Sequence, residues 1–83
     1  MITLDMVAHL EPPAIYSYEP RTYELREFHE PDMMMKVFCK RESKIVLGCT
    51  IGHIIYIRDD LSPEVYDVIL RHEKAHVNGW KHP

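Results

Sequence analysis

At 83 residues the chain holds one domain at most, residues 1–83, and buries only about 60% of its unfolded surface, so a metal staple would help it fold. A hydrophobic content of 46% and an aromatic content of 10% argue against disorder. The formal charge of −3, with no basic block, argues against nucleic acid as a main partner, and no apolar stretch approaches the roughly 20 residues of a membrane helix.

The first residues, M-I-T-L-D-M-V-A-H-L-E, lack a basic region and an A-x-A-like site and carry Asp5 and Glu11 early. They make a poor signal peptide, and a cytoplasmic protein is expected. Up to Asp32 the chain is broken by Pro12, Pro13, Pro20 and Pro31, which exclude long regular elements. With Ile15, Tyr16, Tyr18, Tyr23, Leu25 and Phe28 as apolar anchors, this part reads as an ordered wrapping segment with a short helix or turn near Arg21–Phe28.

Met33–Cys39 mixes Met, Val and Phe and suits a strand, and the charged Lys40–Lys44 suits a hairpin loop. Ile45–Leu47 and Ile54–Ile57 are β-branched runs around Gly48 and Gly52 and predict one or two further strands. The last element is the clearest. Ser62 is a good N-cap, Pro63 takes the favoured first helical position, and Glu64 suits the positive helix end. The helix can run from Pro63 to about Asn78, where Asn-Gly provides a left-handed stop. The expected fold class is α+β: a small antiparallel sheet of two to four strands packed on a C-terminal helix.

Cys39 and Cys49 lack the tight pairing of a zinc knuckle or redox motif. Two reduced, core-type cysteines are expected, ahead of a single bridge or a mixed Cys/His metal site.

The final residues, R-H-E-K-A-H-V-N-G-W-K-H-P, contain H-E-x-x-H at His72–His76 and its longer form, H-E-x-x-H-x-x-G-x-x-H, ending at His82. Residues four apart share a helical face, so His72 and His76 can offer imidazole nitrogens to one ion. Gly79 can take a positive φ, end the helix and return His82 to the same ion as a third ligand. Three nitrogen ligands leave one tetrahedral position for water, as in a catalytic zinc site. Glu73, next to the first ligand, is placed to act as general base toward that water. At roughly 100° per residue, Glu64, Asp67, Arg71, Lys74 and Asn78 form a polar stripe, read as the solvent face. His72, Glu73 and His76 lie outside it among apolar residues. Burying such groups without partners costs several kcal/mol, and one Zn2+ ion supplies a reason for them.

H-E-K-A-H-V-N-G-W-K-H resembles the extended zinc motif of the metzincin metallopeptidases at each defining position. The resemblance implies that His72, His76 and His82 bind zinc and that Glu73 is the general base. It covers the end of the chain, and the remainder resembles that family in layout, as a stripped zincin core. The chain also resembles small zinc metallopeptidase-like proteins of bacteria and their phages. Zincins bind extended peptides on an antiparallel edge strand. By resemblance the candidate strand is Gly52–Arg58, with Gly52, His53, Ile54, Ile55 and Tyr56 as substrate-binding residues.

His53 reads first as a surface histidine, and His9 and His29 show no ligand spacing. Met33, Met34 and Met35 read as core packing, and Trp80 as an anchor of the last turn that fixes the third ligand. If the N-terminal segment folds over the cleft, Tyr16, Tyr18 or Tyr23 could bond an oxyanion.

The expected function is a zinc-dependent peptidase-like hydrolase in which water on the zinc attacks a peptide carbonyl. Its partner is a peptide or protein substrate, and a homo-oligomer or partner chain could complete the cleft. The rivals are a zinc-stabilised binding module that cuts nothing and a subunit whose site a second chain completes.

Overall fold

Alternation along one strand organises the molecule. In Ile54–Arg58, residues Ile55 and Ile57 are fully buried on one face and Tyr56 is buried on the other. A strand apolar on both faces has to lie inside a sheet. The computed structural model, which describes residues 2–28, 39 and 46–83, puts this strand in the middle of three.

The elements run in the order α1 (Leu4–Val7), two 3-10 turns (Ala8–Leu10 and Ala14–Tyr16), β1 (Glu24–Phe28), β2 (Gly48–Ile51), β3 (Ile54–Arg58) and α2 (Pro63–Val77). The strand order is β1-β3-β2. β2 and β3 form a hairpin, pairing Gly48 with Ile57 and Ile51 with Ile54. Its turn is made possible by Gly52, whose φ of 61° lies in the left-handed region. β1 joins β3 in parallel, with Glu24 opposite Ile54 and Phe28 opposite Arg58.

The α+β class, small sheet and C-terminal helix agree with the sequence. Two features differ. The sheet is mixed instead of antiparallel, and the residues near Arg21–Phe28 form a strand instead of a helix or turn. Alternating Leu25 and Glu27 with charged Glu24 and Arg26 suits an exposed edge, where little is buried on either side. The strand expected at Met33–Cys39 and the loop at Lys40–Lys44 lie outside the described residues, Cys39 apart, and so do His29, Met33, Met34 and Met35. Cys39 has helical backbone.

α2 closes one face of the sheet. Ser62 caps it, its hydroxyl accepting from the Val65 amide at 3.4 Å. Val65, Val68 and Ile69 pack with Ile55, Ile57 and Val7 into the main core. On the opposite face Val46, Cys49 and Tyr56 form a second cluster, in which Phe28 stacks on Tyr56 with ring centroids 5.4 Å apart. Cys39 and Cys49 are joined by a disulfide in that cluster, which corrects the expectation of two reduced cysteines. Cys39 and Cys49 are ten positions apart in sequence, so β2 is tethered through a short loop.

The polar stripe of α2 is only partly a solvent face. Along its second half the N-terminal segment lies as a strap. Arg71 pairs with Glu11, Lys74 donates to Glu19 at 2.6 Å, and Asn78 Nδ2 donates to the carbonyls of Tyr16 (3.0 Å) and Tyr18 (2.6 Å). The side chains at these positions therefore bind chain as well as water. Among the described residues, no helix is long and apolar enough to cross a membrane.

Candidate metal centre

α2 ends in a way that builds a site. Gly79 has a φ of 102°, and its amide donates to the His76 carbonyl at 3.1 Å while the Trp80 amide donates to the Ala75 carbonyl at 3.0 Å. This pair of bonds is a Schellman stop, and it satisfies the last carbonyls while reversing the chain. The reversal carries Trp80 and His82 back over the helix face that bears His72 and His76.

The three histidines meet there. His76 Nε2 lies 3.1 Å from His72 Nε2 and 3.1 Å from His82 Nε2, and one nitrogen from each ring falls within 4.8 Å of the others. The other nitrogens of the two helical rings are fixed from behind. His72 Nδ1 lies 2.7 Å from the Leu10 carbonyl and His76 Nδ1 lies 2.7 Å from the Trp80 carbonyl. A carbonyl can only accept, so in both rings Nδ1 carries the proton and Nε2 presents a lone pair. Lone pairs brought within 3.1 Å of each other repel unless a cation lies between them. One metal ion can satisfy three such nitrogens, so the cluster could hold a metal ion.

Trp80 packs on this cluster more than on the core. Its ring stacks on His76 with centroids 4.7 Å apart and 8° between planes, and meets His72 edge-on at 4.9 Å. Trp80, expected to anchor the last turn against the core, instead makes its ring contacts with the imidazoles. His72 is 7% exposed, whereas His82, at the free end of the turn, is exposed.

Glu73 is 5% exposed and opens, with the three histidines, onto one cavity of about 670 Å³. Its Oε1 accepts from the Thr50 hydroxyl at 3.0 Å. The facing wall is Val46–Gly52, so β2 borders the cavity. This corrects the strand expected to meet substrate. Gly52–Arg58 is not an edge, because Ile54, Ile55 and Tyr56 belong to the central strand, bonded on both sides. Of the five residues expected there, Gly52 alone lines the cavity; His53 is exposed in the turn, its carbonyl accepting from the Glu24 amide at 2.9 Å.

Tyr16, Tyr18 and Tyr23 are not among the cavity's lining residues. The first two hold Asn78, and the Tyr23 ring receives the Lys74 ammonium at 5.2 Å. Three residues of the site carry no motif. Leu10 contributes a carbonyl, which any residue could provide. Thr50 and Gly48 are signalled only by alternation, which puts them on the α2 side of β2 opposite Ile55 and Ile57. Behind the site, the Arg71 guanidinium holds the Glu11 carboxyl below its usual range by a hydrogen bond that outweighs desolvation.

No protein-family model, curated protein or solved structure matches this chain, so the functional reading rests on the site's geometry.

Proposed function

We propose that this protein is a zinc-dependent hydrolase of the peptidase class, with His72, His76 and His82 as ligands and Glu73 as general base. The observation that carries the reading is the convergence of three imidazole nitrogens, two with their tautomers set by backbone carbonyls, beside a buried carboxylate in one cavity. Zinc–nitrogen bonds of about 2.0–2.1 Å at tetrahedral angles put two ligand nitrogens about 3.3 Å apart. The two 3.1 Å separations from His76 are close to that spacing. Carbonyl partners on the ligands' second nitrogens are the usual companions of zinc-binding histidines.

A zinc ion in this cluster would lower the pKa of its water toward about 7 and polarise a substrate carbonyl. The chain's own groups do the rest. Glu73 takes a proton from the attacking water and returns it to the leaving amine. Among the described residues β2 pairs with β3 alone, so its other edge is the place for an extended peptide to add as a strand. Leu10, Val46, Leu47 and Ile69 give part of the cavity an apolar lining.

Metal analysis of protein purified without a histidine tag, paired with cleavage of an unstructured peptide library, tests this reading. One zinc per chain and cleavage that stops with a chelator are expected. Glu73→Gln should keep the zinc and lose cleavage. A zinc-loaded protein that cuts no peptide would overturn the hydrolase reading.

A further inference from the structure

Glu73 projects from α2 toward β2, and β2 approaches it unusually closely. A Cβ built on Gly48 would stand 2.9 Å from Ile69 Cγ2, 3.0 Å from the Tyr56 carbonyl oxygen and 3.5 Å from Glu73 Oε2. Strand and helix are therefore in contact here, and the next residue on the same face of β2 is Thr50. Its hydroxyl oxygen lies 3.0 Å from Glu73 Oε1 and 3.1 Å from the main-chain oxygen of the same residue. We infer that Thr50 is a positioning residue for Glu73, holding the carboxyl group in one rotamer.

The argument is from hydroxyl chemistry. Threonine has one proton to donate and two lone pairs to accept with. Its hydroxyl donates to Glu73 Oε1, and the main-chain oxygen of the same residue lies within reach of the same proton, so both ends of Glu73 face one group. A glutamate side chain otherwise loses up to about 2 kcal/mol of rotamer freedom on being fixed. A β-branched threonine in a strand brings little freedom of its own to lose.

The holding of Glu73 stands on these contacts; its effect on turnover rests on the hydrolase reading. That reading needs a carboxyl group held in one place, which these contacts favour. Misplacing a reacting group by about 1 Å costs on the order of 100-fold in rate.

The test uses the full zinc-loaded chain and the variants Thr50→Val, Thr50→Ala and Thr50→Ser, the alanine serving if the valine does not fold. Three-bond couplings of Glu73 report its rotamer by nuclear magnetic resonance, and peptide cleavage reports turnover. One Glu73 rotamer is expected in the parent and in Thr50→Ser, with averaging in the two variants that lack a hydroxyl. Their kcat should fall ~10- to 100-fold with KM and zinc content unchanged, and serine should restore it. A single Glu73 rotamer without the hydroxyl overturns the proposal, whatever the activity. Averaging rescued by serine in proteins that cleave nothing upholds the positioning and removes the hydrolase reading instead.

Discussion

His72 donates from Nδ1 to the main-chain carbonyl of Leu10 at 2.7 Å, so a residue of the metal cluster is bonded to a segment 62 positions earlier in the chain. The same strap is tied to α2 at Arg71, Lys74 and Asn78. If the cluster holds a metal, strap docking and metal binding share this bond, and each then favours the other by the same free energy.

Removing the metal should loosen the strap. Hydrogen exchange over residues 8–20 is expected to speed up in chelator while the amides of β3 stay protected. In the reverse direction, Asn78→Ala removes two bonds to the strap without touching a histidine. At about 1 kcal/mol net per bond it should weaken metal binding by up to roughly 30-fold. Equal metal affinity in that variant, measured by competition with a chromophoric chelator, would separate the strap from the centre.

The ligands should differ in weight. His72 and His76 are held by carbonyls behind them, whereas His82 stands at an exposed turn. Replacing either helical histidine by alanine should abolish stoichiometric binding. His82→Ala should leave a weaker two-nitrogen site, seen as a lower metal content after dialysis. Full occupancy in His82→Ala would remove His82 from the ligand set.

How much of this was legible in the sequence depends on whether side chains or backbone carry the feature. The cap at Ser62, the stop at Gly79 and the shared face of His72 and His76 are local, and helix periodicity places them without a structure. The partners of those residues are not local. The Leu10 carbonyl has no residue signature, and a strand's neighbours depend on crossover order, so which strands flank β3 was hidden. Its residues Ile54, Ile55, Tyr56 and Ile57 are apolar on both faces, a pattern that favours a central strand. The same physics misled the reading of Arg71, Lys74 and Asn78, because a polar stripe suits a polar strap as well as water. The disulfide was hidden for a similar reason, since spacing alone does not reveal which face a cysteine shares.

That disulfide closes a loop of about ten residues between Cys39 and Cys49. In the chain-entropy account a loop of that size is worth roughly 3 kcal/mol. Reduction, or replacement of both cysteines by serine, should lower the melting temperature by roughly 10–20 °C in a domain of this size. Cys39 and Cys49 line the same cavity as the histidines but are not in the histidine cluster, so one metal per chain should still bind at temperatures where the fold persists. An unchanged melting temperature on reduction would exclude the bridge as a staple.

The strap also carries an acid-sensitive tie. The hydrogen bond from Arg71 holds the Glu11 carboxyl below its ordinary value of 4.5, against a smaller opposing effect of desolvation. A carboxyl with a depressed folded pKa stabilises the fold above its unfolded pKa, and that contribution disappears as pH falls through the folded value. Compared without metal, Glu11→Gln should therefore be less stable than the parent near neutral pH. The difference should close below about pH 4.5, the ordinary value. A difference that stays constant through that range would mean the pair contributes no linked proton.

Gly79 is the residue on which the turn depends. A methyl group there would meet nothing within 4 Å, so the whole cost of Gly79→Ala is the backbone conformation at φ 102°. Strain of that kind costs about 1–3 kcal/mol for a non-glycine residue. If the chain relaxes by giving up the conformation, Trp80 leaves the place from which its carbonyl orients His76, and His82 leaves with it. Gly79→Ala should then lose metal affinity as well as thermal stability. Gly52→Ala is the matched comparison, because its φ of 61° is also left-handed and its methyl would also meet nothing. It sits in the β2–β3 turn and supports no ligand, so it should lower the melting temperature without changing metal affinity. Calorimetry with and without metal on the two variants separates the cost of the bend from its use. Equal metal affinity in both would mean that His82 reaches the cluster without the helix stop.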